Sequence, residues 1–114
     1  MTSTISRDEL KAKVDHKEKF RLVETLAPEK FQPAHLPGAV NLPPDKVKEL
    51  APKILPDQNE EIVVYCANTA CPASADAARE LEAQGYKHVR RYVGGKQDWT
   101  AAGLPTEGTG ATAT

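Results

Sequence analysis

The sequence predicts a small three-layer α/β domain with a central, mainly parallel sheet and helices on both faces. Three observations carry that expectation. Short apolar, β-branched runs alternate along the chain with segments of helical spacing, the pattern of strand–helix–strand units. The run Ile62-Val63-Val64-Tyr65 is apolar at four consecutive positions, as in a strand covered on both faces. The 114 residues are enough for one core but not for two.

In chain order, Ser6 precedes Asp8-Glu9-Leu10-Lys11-Ala12-Lys13-Val14, an N-cap followed by acidic residues and then helical apolar spacing. Phe20-Arg21-Leu22-Val23-Glu24 alternates and reads as a strand. Pro28-Glu29-Lys30-Phe31 is a short helix start, with proline in the first turn where its missing N–H costs nothing. His35 to Pro43 is a turn into a brief strand, bounded by prolines that exclude helix. Pro44 opens a helix that sets Val47, Leu50 and Ile54 on one face, and Pro56 to Asn59 is a loop. Glu61 to Cys66 is the central strand. Ala73 to Gln84 is a helix with Ala73, Ala77, Ala78 and Leu81 inward, and Gly85 stands at the left-handed position that ends it. His88 to Val93 is the next strand; Gly94-Gly95 turns it into a short helix around Asp98, Trp99 and Ala102, ended by Gly103-Leu104-Pro105. The domain is expected over 1–106, with a disordered Gly/Thr/Ala-rich tail over 107–114.

Composition narrows the function. The net charge is −1 with 27% charged residues, so bulk charge draws the chain to neither nucleic acid nor membrane. The first residues carry no apolar secretory core, and no apolar run approaches the roughly 20 residues of a spanning helix. Two cysteines without a secretory signal point to a reducing, cytoplasmic setting rather than a disulfide scaffold. The chain is expected to act as a monomer without cofactor or metal.

Chemistry concentrates at Cys66. It ends an apolar strand, precedes a loop of small residues and faces the start of a helix, whose unpaired N–H groups favour a thiolate or a bound anion. The competing reading is a small core residue. Between Cys66 and Ala78 there is no Lys or Arg, so the amides of Ala67, Asn68, Thr69, Ala70 and Cys71 are expected to form the anion cradle. Asn68 and Thr69 either bond a substrate or shape the turn. Cys71 has three readings: a thiol that resolves an oxidised or sulfur-loaded Cys66, a relay that accepts and passes on the sulfur, or loop packing. Bridging would need a Cα separation below about 7 Å. His35 is expected to anchor a turn through its ring nitrogens rather than act as a base, and Trp99 to serve as core or pocket wall.

Three separated motifs resemble a rhodanese domain, the single-domain form of the sulfurtransferase family. They are His35-Leu36-Pro37-Gly38-Ala39-Val40-Asn41-Leu42-Pro43, the apolar strand ending at Cys66, and Val93-Gly94-Gly95 through Trp99 to Gly103-Leu104-Pro105. The resemblance implies that Cys66 forms a persulfide and passes sulfur from thiosulfate or a persulfide to a thiol, cyanide or a protein acceptor. Glu24 matches the family's aspartate, expected to bond loop amides. Several positions depart from the family. Cys71 replaces an arginine, in what looks like a C-x4-C variant subgroup, and the stretch from Cys66 to Gly85 looks two residues longer than the common form. Leu26 replaces a second arginine, and Ala34 a glycine. Without those arginines thiosulfate is expected to be a weak donor, unless Lys96 or Arg91 reaches in.

Rivals fare worse. A cysteine phosphatase or arsenate reductase needs an arginine six residues beyond the nucleophile, where Pro72 stands. Gly94-Gly95-Lys96 lacks the upstream glycine of a phosphate loop, since Arg90 holds that place. Two thiols without paired ligands do not match zinc spacing. The runner-up is a non-catalytic module of the same fold that binds a partner or senses redox state through Cys66 and Cys71.

Overall fold

A computed structural model describes residues 3–108. Five parallel strands form one sheet in the order β1-β5-β4-β2-β3: β1 Ser3–Thr4, β2 Arg21–Glu24, β3 Val40–Asn41, β4 Ile62–Tyr65 and β5 Val89–Tyr92. The helices are α1 Arg7–Asp15, α2 Pro28–Phe31, α3 Val47–Ile54, α4 Ala73–Ala83 and α5 Gly95–Ala101, with a 3₁₀ turn at Pro44–Lys46 ahead of α3. The predicted α/β architecture holds.

Alternation along the strands sorts the core into two layers. Val23, Ile62, Val64 and Val89 meet α3 and α4 through Val47, Ala51, Leu55, Ala77, Ala78 and Leu81. Leu22, Val63, Tyr65 and Tyr92 point the other way, toward Leu10 of α1 and Trp99 of α5. Each large apolar side chain so buried stabilises the fold by about 1.5–3 kcal/mol. All four β4 residues are buried, as a strand between two helical layers requires.

Local signals act where the sequence put them. The Ser6 hydroxyl accepts from the Glu9 amide at 3.1 Å and starts α1. Gly85 takes φ +102° just past the Gln84 cap of α4.

Three details differ from expectation. Strand β1 has no apolar pattern; two exposed polar residues pair with Arg90 and Arg91. In α3 the buried residues are Val47 and Ala51, while Leu50 and Ile54 are half-buried beside them. Glu107, placed in the tail, belongs to the fold: its N–H and C=O exchange 2.8 Å bonds with His35, and its carboxylate accepts from the Gly38 amide at 2.9 Å. Positions 109–114 of that expected tail lie outside the described residues.

Candidate active site

Cys66 follows directly on β4 at its carboxyl end and is 1% exposed. Helix α5 reaches across to hold it: the amides of Lys96 and Gln97 donate to the carbonyls of Cys66 and Ala67 at 2.9 and 2.8 Å. That approach requires Gly95. Its φ is +69°, and a Cβ there would stand 2.6 Å from the Cys66 oxygen and 2.9 Å from the Ala67 carbonyl carbon.

Beneath the cysteine lies a buried polar network. The Tyr65 hydroxyl donates to Glu24 Oε1 at 2.7 Å and accepts from the Leu36 amide at 3.1 Å. Lys96 Nζ donates to Glu24 Oε2 at 3.0 Å, and to the carbonyls of Lys30 and Ala34 at 2.9 and 2.6 Å. Glu24 is fully buried, so this pairing is what allows a charge there at all. Burial, reinforced by the Glu24 charge, pushes the Tyr65 phenol well above its ordinary range. The expectation that Glu24 bonds loop amides is corrected: its partners are two side chains, from β4 and α5.

The loop is less open than predicted. The Ala70 amide donates to Asn68 Oδ1 at 3.0 Å and the Cys71 amide to the Asn68 carbonyl at 3.2 Å, so Asn68 itself takes two of the five proposed cradle donors. Thr69 is exposed at the tip of that turn. Cys71 is joined to Cys66 by a disulfide, with Cα atoms 6.2 Å apart. Of the two cations weighed from sequence, Lys96 is committed to Glu24, and Arg91 goes to the far side of the loop. Arg91 Nε donates to the buried Ser74 hydroxyl at 2.8 Å, and Nη2 lies 3.5 Å from the Cys71 carbonyl.

His35 packs at the edge, its ring stacked on Phe31 with centroids 3.9 Å apart and Nδ1 2.9 Å from the Phe31 carbonyl. Trp99 is fully buried, meets Tyr92 edge-on and donates to the Pro105 carbonyl at 2.8 Å. Tyr92 donates to Asp98, and burial followed by that bond raises its phenol above the usual range.

A groove of about 550 Å³ opens beside the loop, between Ala67, Asn68 and Lys96 on one side and Leu26 and Lys30 on the other. It is large enough for a small thiol or a peptide side chain. A groove of similar volume, about 560 Å³, runs between Pro28, Pro43 and Leu50 and touches no residue of the cysteine loop. Among the described residues, no three His, Cys, Asp or Glu side chains stand where they could hold a metal ion. None of the helices there is long and apolar enough to cross a membrane.

Sequence reasoning missed Tyr65 and the pairing of the half-buried Lys96 with Glu24. The available signal for Arg91 was its position: two consecutive arginines in an inner strand must each find a partner. Arg90 finds Glu9 and Glu61, and Arg91 finds Ser74 and Cys71.

Parallel strands, helices on both faces and a cysteine at the carboxyl end of the central strand define a small α/β domain with a cysteine-bearing loop at its strand ends. Residues 6–102 match the rhodanese-like domain, and the chain belongs to that family. It is 37% identical to the thiosulfate sulfurtransferase PspE of Escherichia coli over 76 residues, 67% of this chain and 70% of that one. It is 34% identical to YrkF of Bacillus subtilis, named as a sulfur carrier protein, over 96 residues; these are 84% of this chain but only 50% of YrkF. Among solved structures, a rhodanese with anions from E. coli superimposes with a TM-score of 0.64 at 32% identity, covering 77% of this chain and 96% of that one. The BH2092 protein of Bacillus halodurans gives 0.90 at 24% identity, covering 99% and 82%, and speaks to the fold. These relatives support sulfur transfer at the level of the family.

Proposed function

We propose that this domain is a sulfurtransferase that carries a sulfane sulfur as a persulfide on Cys66 and delivers it to a thiol or to cyanide. The observation that carries the reading is the fixing of Cys66: one residue beyond the buried Tyr65–Glu24–Lys96 network, with its carbonyl held by the Lys96 amide. A nucleophile so placed attacks from a constant position, while donor and acceptor come and go through the adjoining groove.

In the transfer, the reduced Cys66 thiolate attacks the outer sulfur of a donor R–S–SH. The new bond is Cys66 Sγ–SH, and R–S⁻ leaves. An acceptor thiolate or cyanide then attacks that outer sulfur, and Cys66 leaves as thiolate. The preferred donor is a small persulfide. Thiosulfate brings two negative charges, whereas Lys96 is spent on Glu24 and Arg91 on Ser74 and the Cys71 carbonyl. The domain works in the cytoplasm as a monomer, with a small sulfur donor and a thiol or a protein acceptor as its partners.

The test is thiocyanate formation by the pre-reduced protein from cyanide, with thiosulfate and with cysteine persulfide, beside the Cys66→Ser variant. The serine variant is expected to form none, because a hydroxyl is far less nucleophilic than a thiolate at neutral pH. Transfer retained in Cys66→Ser overturns the assignment. Thiosulfate outrunning the persulfide tenfold overturns the donor preference. Failure with every donor leaves the non-catalytic, redox-sensing module as the reading.

A further inference from the structure

We infer that Cys71 is the resolving thiol of a second activity, the reductive release of sulfide from persulfides at the expense of a dithiol. This rests on the proposed loading of Cys66. The loop itself carries it. Cys66 and Cys71 are joined in the folded domain with Cα atoms 6.2 Å apart, inside the ordinary span of a disulfide, and neither β4 nor α4 is broken to allow it. Both ends of the bridge are held. The Lys96 amide secures the Cys66 carbonyl. On the other side the Asn68 carbonyl takes the Cys71 amide, Arg91 lies against the Cys71 carbonyl, and Pro72 leads into α4.

That geometry sets the chemistry. Once Cys66 carries Sγ–SH, the Cys71 thiolate attacks the inner sulfur, Cys66 Sγ. The Cys66–Cys71 bond forms, the bond to the outer sulfur breaks, and HS⁻ leaves with that electron pair. The sulfane sulfur has gained two electrons, which the two cysteines have lost. An external dithiol returns them by exchange and is itself oxidised to a disulfide. Exposure indicates where it enters: Cys71 is half-exposed while Cys66 is buried, so the dithiol attacks Cys71 and Cys66 is the leaving thiolate. The partner class is therefore a dithiol reductant, small or proteinaceous, that reaches the open side of the loop. Transfer to an external acceptor and internal resolution compete for one intermediate, and acceptor concentration decides between them.

The experiment is a single turnover. Wild-type and Cys71→Ser proteins are fully reduced, freed of reductant, loaded with cysteine persulfide, freed of donor and followed by intact mass and sulfide assay. In the wild type, sulfide is expected to appear while the mass falls to that of the internal disulfide. Cys71→Ser is expected to keep its extra sulfur and release sulfide at least about tenfold more slowly. Equal release from both proteins overturns the inference and leaves Cys66 loading intact. So does a wild type that keeps its persulfide with Cys71 open to alkylation. Loading lost in Cys71→Ser, with native circular dichroism, overturns it by making Cys71 the first nucleophile. If neither protein loads, the sulfurtransferase reading falls and this one with it.

Discussion

On the α3/α4 face of the sheet, Val23, Val64 and Leu81 meet side chains that are almost wholly apolar, and the Tyr86 hydroxyl is spent on the carbonyls of Ala51 and Leu55. On the α1/α5 face, Leu22 and Val63 share the interior with Glu24, Lys96 and the hydroxyls of Tyr65 and Tyr92. Packing holds both faces, and on the second, where Leu10, Leu36 and Trp99 are fully buried, directed bonds are added to it. Cys66 is tied to the second, through Lys96 and Gln97. A hydrophobic contact tolerates a shift of a few tenths of an ångström, whereas the amide-to-carbonyl bonds from Lys96 and Gln97 fix position and angle, and the charged bonds of the Lys96 side chain hold that residue in turn. The polar face therefore sets where the sulfur stands, while both faces supply stability.

Paired substitutions break or sharpen that contrast, and they carry the largest effects. Lys96→Met leaves the Glu24 carboxylate buried without its cation, and is expected to cost about 3–5 kcal/mol and to slow Cys66 loading in the folded protein. Adding Glu24→Gln removes the stranded charge and is expected to recover most of the stability but not the loading rate. Leu81→Ala, on the apolar face, is expected to cost about 2–5 kcal/mol and leave the loading rate of folded molecules unchanged. Urea unfolding and single-turnover loading read both quantities. Equal slowing in Leu81→Ala and Lys96→Met would erase the distinction between the faces.

A smaller effect separates the tyrosines. All three, Tyr65, Tyr86 and Tyr92, are raised from their usual pKa, but for different reasons. Burial alone lifts Tyr86 on the apolar face, whereas Tyr65 and Tyr92 are also held against the carboxylates of Glu24 and Asp98. Below about pH 10 both folded and unfolded chains keep their phenol protons. Above it the unfolded chain loses protons that the folded chain keeps, so the stability these groups contribute declines as pH rises. Tyrosinate absorbance of the folded protein is expected to lag behind that of the urea-unfolded chain, with Tyr86 first to ionise and its signal absent in Tyr86→Phe. Folded tyrosines that titrate together near pH 10 would contradict it.

What the sequence disclosed, and what it withheld, follows the same division. Packing was legible because it leaves a periodic trace: Ala73, Ala77 and Leu81 on a helix, and the run from Ile62 to Tyr65 in a strand covered on both faces. Cys66 was legible because a strand end followed by small residues and a helix is a local pattern. The polar face was not. Lys96 reads only as a cation for the donor, because its actual partners come from positions 24, 30 and 34, brought together only by the crossovers. Tyr65 reads as one more apolar strand residue until Glu24 is found beside it. Strand β1 escaped because two exposed residues carry no period, and the fate of Cys71 was left open because spacing does not fix the path of a loop.

The central claim is that the sulfur is taken by the cysteine the polar face holds, and by no other. Single-cysteine proteins test it most directly: Cys71→Ser retains Cys66 alone and Cys66→Ser retains Cys71 alone. Both are reduced, incubated side by side with cysteine persulfide and weighed intact. The expected result is one added sulfur on the Cys71→Ser protein and none on the Cys66→Ser protein. Added sulfur on Cys66→Ser at a comparable rate, or none on Cys71→Ser with its fold intact, would contradict it.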